Sequence, residues 1–179
     1  MDFVAELARE YAPLLISICA LFLTINQSMA ARKHNRLTVK PHLTSFTDTR
    51  LDPERQGVIT INITLSNNGL GPAIIKSFEP LLDDAPIKVS EPGDLFPIAE
   101  KALPIRLIAD ECYFTVLRQN YVMAKDANLA VATIAYAQTI HDDPVAIRDA
   151  FNRFQIRVAY ESAYGEAFVY DSRDHMTRI

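Results

Sequence analysis

Apolar residues follow two patterns along the 179 residues, and the change from one to the other divides the chain. From Ala12 to Ala31 the run APLLISICALFLTINQSMAA holds no charged residue. As a helix it reaches roughly 30 Å, the thickness of a bilayer core. Its large apolar side chains, from Leu14 to Ile25, favour insertion by about 2–5 kcal/mol. Tyr11 at one end and Arg32-Lys33 at the other suit the two interfaces. The pattern predicts one transmembrane helix. Phe3, Leu7 and Tyr11 share a helical face and predict a helical lead-in, with Pro13 at its end or at a kink.

Beyond the basic stretch the period changes to two. Leu37, Val39 and Leu43 alternate with polar residues around Pro41, which predicts an edge or bent strand, followed by a loop from Asp48 to Gly57. Val58 to Leu65 is the clearest strand: Ile59, Ile61, Ile63 and Leu65 take one face and Thr60, Asn62 and Thr64 the other. Ser66-Asn67-Asn68-Gly69-Leu70-Gly71-Pro72 predicts a tight turn. Asn68, Gly69 and Gly71 tolerate positive φ, and Pro72 sets the exit, so one or both glycines are expected there. Ala73–Leu82 returns as a strand, and Asp83-Asp84 turns the chain into a short strand at Ile87–Val89.

Residues 90–103, rich in proline, predict mostly loop. Ile105–Ile108 and Cys112–Leu117 read as strands, residues 119–128 are ambiguous, and Leu129–Ala137 suits a central strand. Asp143 and Pro144 predict the start of a short helix whose face is Ile147, Phe151 and Phe154. Gln155–Asp171 predicts a closing hairpin, with Gly165 left-handed at its turn.

Seven or eight short strands and one short helix predict a mainly β protein: an N-terminal transmembrane helix, then an antiparallel immunoglobulin-like β-sandwich. The expected divisions are 1–36 for the lead-in, span and basic stretch, 37–172 for the sandwich, and 173–179 for a flexible tail.

Charge then orients the chain. Asp2, Glu6 and Glu10 precede the span, whereas Arg32, Lys33, Arg36 and Lys40 follow it with no acid until Asp48. Lys and Arg are retained on the cytoplasmic side, so the N-terminus is expected outside and the sandwich in the cytoplasm. A cleaved signal sequence ending near Ser28-Met29-Ala30, leaving a periplasmic domain, is the rival; its positive charges would stand on the wrong side. The four basic residues are also candidates for contact with anionic lipid head groups.

Candidate chemistry is sparse. A net charge of −4 with no basic block argues against nucleic-acid binding. Two cysteines, Cys19 in the span and Cys112, give no disulfide framework and no zinc motif. No GK[ST], GxSxG or HExxH is present, and no cofactor is called for. His141-Asp142-Asp143 is the one acid-base-like cluster, although capping explains Asp143 more simply.

The basic stretch after an N-terminal span, the Leu65–Ile74 turn and the Tyr160-Glu161-Ser162-Ala163-Tyr164-Gly165-Glu166 hairpin together resemble uncharacterised bacterial single-pass membrane proteins with an immunoglobulin-like sandwich. The resemblance implies a fold and a topology, and no activity. The expected function is a non-enzymatic, membrane-tethered interaction module, such as a small subunit of a membrane complex. Its expected partners are membrane lipid and other proteins. The alternative is a ligand-binding or hydrolytic domain using His141, Asp142 and Asp143.

Overall fold

The computed structural model describes residues 2–139 and 142–175. It divides into two compact units, Met1–Thr38 and Val39–Ile179. The first is a single helix, α1 (Asp2–Leu37), with Pro13 inside it. Tyr11–Arg36 is long and apolar enough to cross a bilayer. Within the helix the Ser17 and Thr24 hydroxyls each donate, at 2.8 Å, to the carbonyl four residues back. Both polar side chains are therefore satisfied without an outside partner.

The second unit is mainly β. In chain order its strands are β1 (Leu43–Leu51), β2 (Val58–Asn67), β3 (Ala73–Leu82), β4 (Ala85–Pro86), β5 (Arg106–Leu107), β6 (Tyr113–Phe114), β7 (Val122–Met123), β8 (Asn128–Ala137), β9 (Phe154–Glu161) and β10 (Ala167–Asp171). Two short helices interrupt them, α2 (Leu95–Ala102) and α3 (Pro144–Asn152). One sheet runs β1-β2-β8-β5, with β6 also on β8; the other runs β10-β9-β3-β4, with β7 also on β3. Every pairing is antiparallel.

The strand readings of β2, β3, β8 and the β9–β10 hairpin hold. Leu65 is fully buried, Ile61 is nearly so, and β8 lies inside its sheet between β2 and the β5 and β6 strands. Gly165 turns the last hairpin at φ 75°. Asp83 and Asp84 turn β3 into β4 at φ 51° and 64°, the two-residue geometry that follows strand twist. Arg153 binds the Asp83 carboxylate at 2.6 Å and holds its pKa below the usual range.

Other readings need correction. Leu37 ends α1, and the first strand begins only at Leu43, after the buried Pro41. That strand continues to Leu51, through residues expected as loop. It is an edge strand held by backbone pairing with β2, so its side chains need no apolar alternation. The strand expected at Ile87–Val89 is instead β4, directly after the turn. Residues 90–103, expected as loop, contain α2, with Leu95 and Ala99 buried. Pro97 is the third residue of that helix, where no backbone donor is needed. The ambiguous segment 119–128 holds β7 between tight turns, with Asn120 and Asp126 at positive φ.

The expected positive φ at Gly69 or Gly71 is wrong; the left-handed glycines are Gly57 and Gly165. Both turn glycines are needed for space. A Cβ on Gly69 would stand 2.5 Å from the Pro41 carbonyl carbon, and one on Gly71 would stand 2.5 Å from that of Val39. The 39–42 stretch lies against this turn, with Asn68 N donating to His42 O at 2.8 Å and Leu70 N to Lys40 O at 2.9 Å.

Arg173, placed by the sequence in a flexible tail, is ion-paired to Asp171 and, at 3.0 Å, to Asp84 within a short turn, Ser172–His175.

Candidate functional site

At one end the two sheets close on each other. Leu43, Leu65 and Val131 from one sheet pack with Ile75, Val158 and Tyr160 from the other. Tyr170 adds a cross-sheet hydrogen bond, its hydroxyl donating to Ser45 Oγ at 2.5 Å. Burial pushes the Tyr160 and Tyr170 phenols above their ordinary pKa, as a dry core should.

Further along, the sheets part. The β2–β8 register shifts between Ile63 and Thr64, leaving Val131 as the extra residue. The β3–β9 register shifts between Ile75 and Ser77, leaving Lys76 extra. A bulge bends its strand and increases the local twist. Beyond the bulges the first sheet's inner face is covered by the two short helices, with Ala132 and Ile134 against Ala99 and Ala150, and Ile61 and Tyr136 against Ile147.

A cavity of about 590 Å³ remains between the parted sheets and these helices. Its wall is mostly apolar: Ile61, Ile63 and Ile134 on one side, Phe78, Phe154 and Ile156 on the other. Ile63, Phe78, Phe154 and Ile156 are only half buried, each packed against a core cluster while also lining the cavity. The volume falls in the range of roughly 300–1,000 Å³ typical of small-molecule sites. Water filling it would amount to about twenty molecules at roughly 30 Å³ each, facing walls with few polar partners. Tyr136 lines the space, and burial raises its phenol pKa, with the Asp142 charge adding to the shift. Gln155 also lines it, and its buried Oε1 has no hydrogen-bond partner.

Two residues of the acidic cluster have structural partners. Asp143 caps α3: its backbone is extended and its Oδ1 accepts from Val145 N at 2.9 Å. Asp142 accepts from both the backbone N and the hydroxyl of Thr139, each at 2.8 Å. His141 lies outside the described residues. Among the described residues, no group of three or more His, Cys, Asp and Glu could hold a metal ion. Asp143→Ala should cost about 0.5–2 kcal/mol in urea melts, and Asp143→Asn almost nothing. An equal loss in both variants would show that the carboxylate charge, and not the cap, matters.

Of the basic residues, Arg32, Lys33 and Arg36 are exposed near the C-terminus of α1. Lys40 belongs to the β unit, and its ammonium sits 5.3 Å from the centre of the Phe168 ring. Asn67 was not singled out by the sequence and is the most connected side chain of the turn. Fully buried, it donates through Nδ2 toward Gly71 O at 2.9 Å and toward Met123 O and Ala124 O at 3.1 Å. Its Oδ1 accepts from His42 N at 3.2 Å and Gly69 N at 3.1 Å. The signal for it is an Asn that closes an apolar strand just before a glycine-rich turn.

No protein-family model matches this chain, and no curated protein matches it. Among solved structures, a protein of Bordetella pertussis described as ApaA aligns at 14% identity with a TM-score of 0.34. The alignment covers 75% of this chain and 90% of that one.

Proposed function

We propose that this chain is a non-enzymatic, membrane-tethered interaction module of the bacterial inner membrane, its β unit facing the cytoplasm. The observation that carries the reading is the surface of α1. Large apolar side chains from Leu14 to Ile25 are each 50–68% exposed, so something outside the chain must cover them. A bilayer does so along the whole length of the apolar run. The basic residues after the span support a cytoplasmic C-terminal side. The strand order supports an immunoglobulin-like sandwich. Taking β1, β2 and β8 as strands A, B and E, and β3, β9 and β10 as C, F and G, gives the A-B-E and C-F-G sheets of that arrangement. The engagement of Asp142 and Asp143 in a turn and a cap supports binding over hydrolysis.

Paired C-terminal fusions in a bacterial host test the topology. A phosphatase active only in the periplasm should stay silent, a cytoplasmic fluorescent protein should light, and alkaline carbonate should not extract the chain. Moving the four basic residues outward costs about 2.3 kcal/mol per charge per 100 mV. Converting Arg32, Lys33 and Arg36 to glutamate should therefore bring phosphatase activity into part of the population. The reverse pattern in the unaltered chain, or a mature N-terminus at Ala31, would overturn the reading.

A further inference from the structure

We propose that the cavity between the two sheets binds one acyl chain of a single-chain lipid. The proposal rests on the membrane tethering above, which makes bilayer lipid the nearest apolar pool and raises its effective concentration at the site. Two observations carry it.

The first is the wall. Ile63, Phe78, Phe154 and Ile156 face the space and are only half buried. Protein interiors are close-packed, so an opening of about 590 Å³ lined this way is a place for a guest. The second is what the wall lacks. A peptide inserted here would bring backbone N–H and C=O groups, each needing a partner. Ser45 is already bonded to Tyr170, Asp142 to Thr139 and Ser172 to the Ile156 N–H, and the other polar side chains, such as Thr47, Gln138 and Asn152, are a minority of the lining. A hydrocarbon chain brings no such groups.

The test uses the full chain in native membranes and a monoacylglycerol with a photoreactive diazirine in its acyl chain. After irradiation, mass spectrometry should place label on peptides containing Phe78 and Ile156 as well as on α1. Unlabelled monoacylglycerol should compete away the cavity label and leave the α1 label, which reports bulk lipid. Ala132→Phe and Ile63→Trp fill the space from two positions, and protease resistance shows which of them folds. Either folded variant should lose cavity label at least tenfold. Label confined to α1, or cavity label unchanged in a folded filled variant, overturns the site and leaves the tethering intact. Carbonate-extractable chain with no α1 label overturns the tethering instead.

Discussion

Asn67→Asp is expected to destabilise the β unit by about 4 kcal/mol or more, although it changes one atom group and almost no volume. The Asn67 amide is fully buried and serves three segments at once. It donates toward Met123 O and Ala124 O at the end of β7, donates to Gly71 O in the turn, and accepts from His42 N before β1. Its backbone joins the same junction, with Asn67 N donating to Ala127 O and Asp126 N to Asn67 O, both at 3.0 Å. Aspartate keeps the acceptor and loses every donor. It would place a carboxylate oxygen beside three carbonyl oxygens, and each stranded buried group costs about 1–3 kcal/mol. Against a total stability of about 5–15 kcal/mol, that loss moves the urea midpoint far to the left. The chain has no tryptophan, so the fluorescence of buried Tyr160 and Tyr170 is the probe. Asn68→Ala is the control, because Asn68 bonds the Thr44 hydroxyl at an exposed site and should cost under about 1 kcal/mol. A midpoint for Asn67→Asp close to that of the control would remove Asn67 from this role.

This junction shows where sequence reasoning reached and where it stopped. The turn at 66–73 was legible because its residue types are turn-formers. The reason for its glycines was not, because a close approach by Pro41 and Val39 comes from a segment about thirty residues earlier. Strands whose side chains divide between core and solvent, such as β2, were legible from alternation. The far half of β1 was not, because an edge strand is specified by its partner's backbone. Prolines misled at 90–103, since Pro97 stands in a first turn that tolerates it. The cavity was the least legible feature. Ile61, Ile63, Ile134 and Phe78 look like ordinary core positions in sequence. Whether two apolar faces meet or leave a cavity depends on how strands far apart in sequence are brought together, which no local period records. The same spread-out origin explains why the one cluster that looked chemical, at 141–143, was a turn and a cap in its described residues.

Gly71→Val should destabilise the β unit by about 3 kcal/mol, and Gly71→Ala by nearly as much, because the clash begins at Cβ. The atoms in the way are the Val39 backbone, with Cα at 2.7 Å and the carbonyl carbon at 2.5 Å from where a Cβ would stand. Backbone cannot swing aside as a side chain does, so the 39–42 stretch would have to move as a unit. That movement would break Leu70 N to Lys40 O, loosen the His42 bond to Asn67, and draw Gly71 O away from the Asn67 amide. Overpacking and lost hydrogen bonds therefore add in the same direction. Gly165→Ala separates this cause from backbone conformation. Gly165 has φ +75° and no atom within 4 Å of its would-be Cβ, so alanine there should cost only about 1 kcal/mol. Urea melts of the three variants should rank Gly71→Val and Gly71→Ala together, well below Gly165→Ala. If alanine at 71 were as mild as at 165, the 39–42 stretch would not lie against the turn, and the fixed entry to β1 would be lost with it.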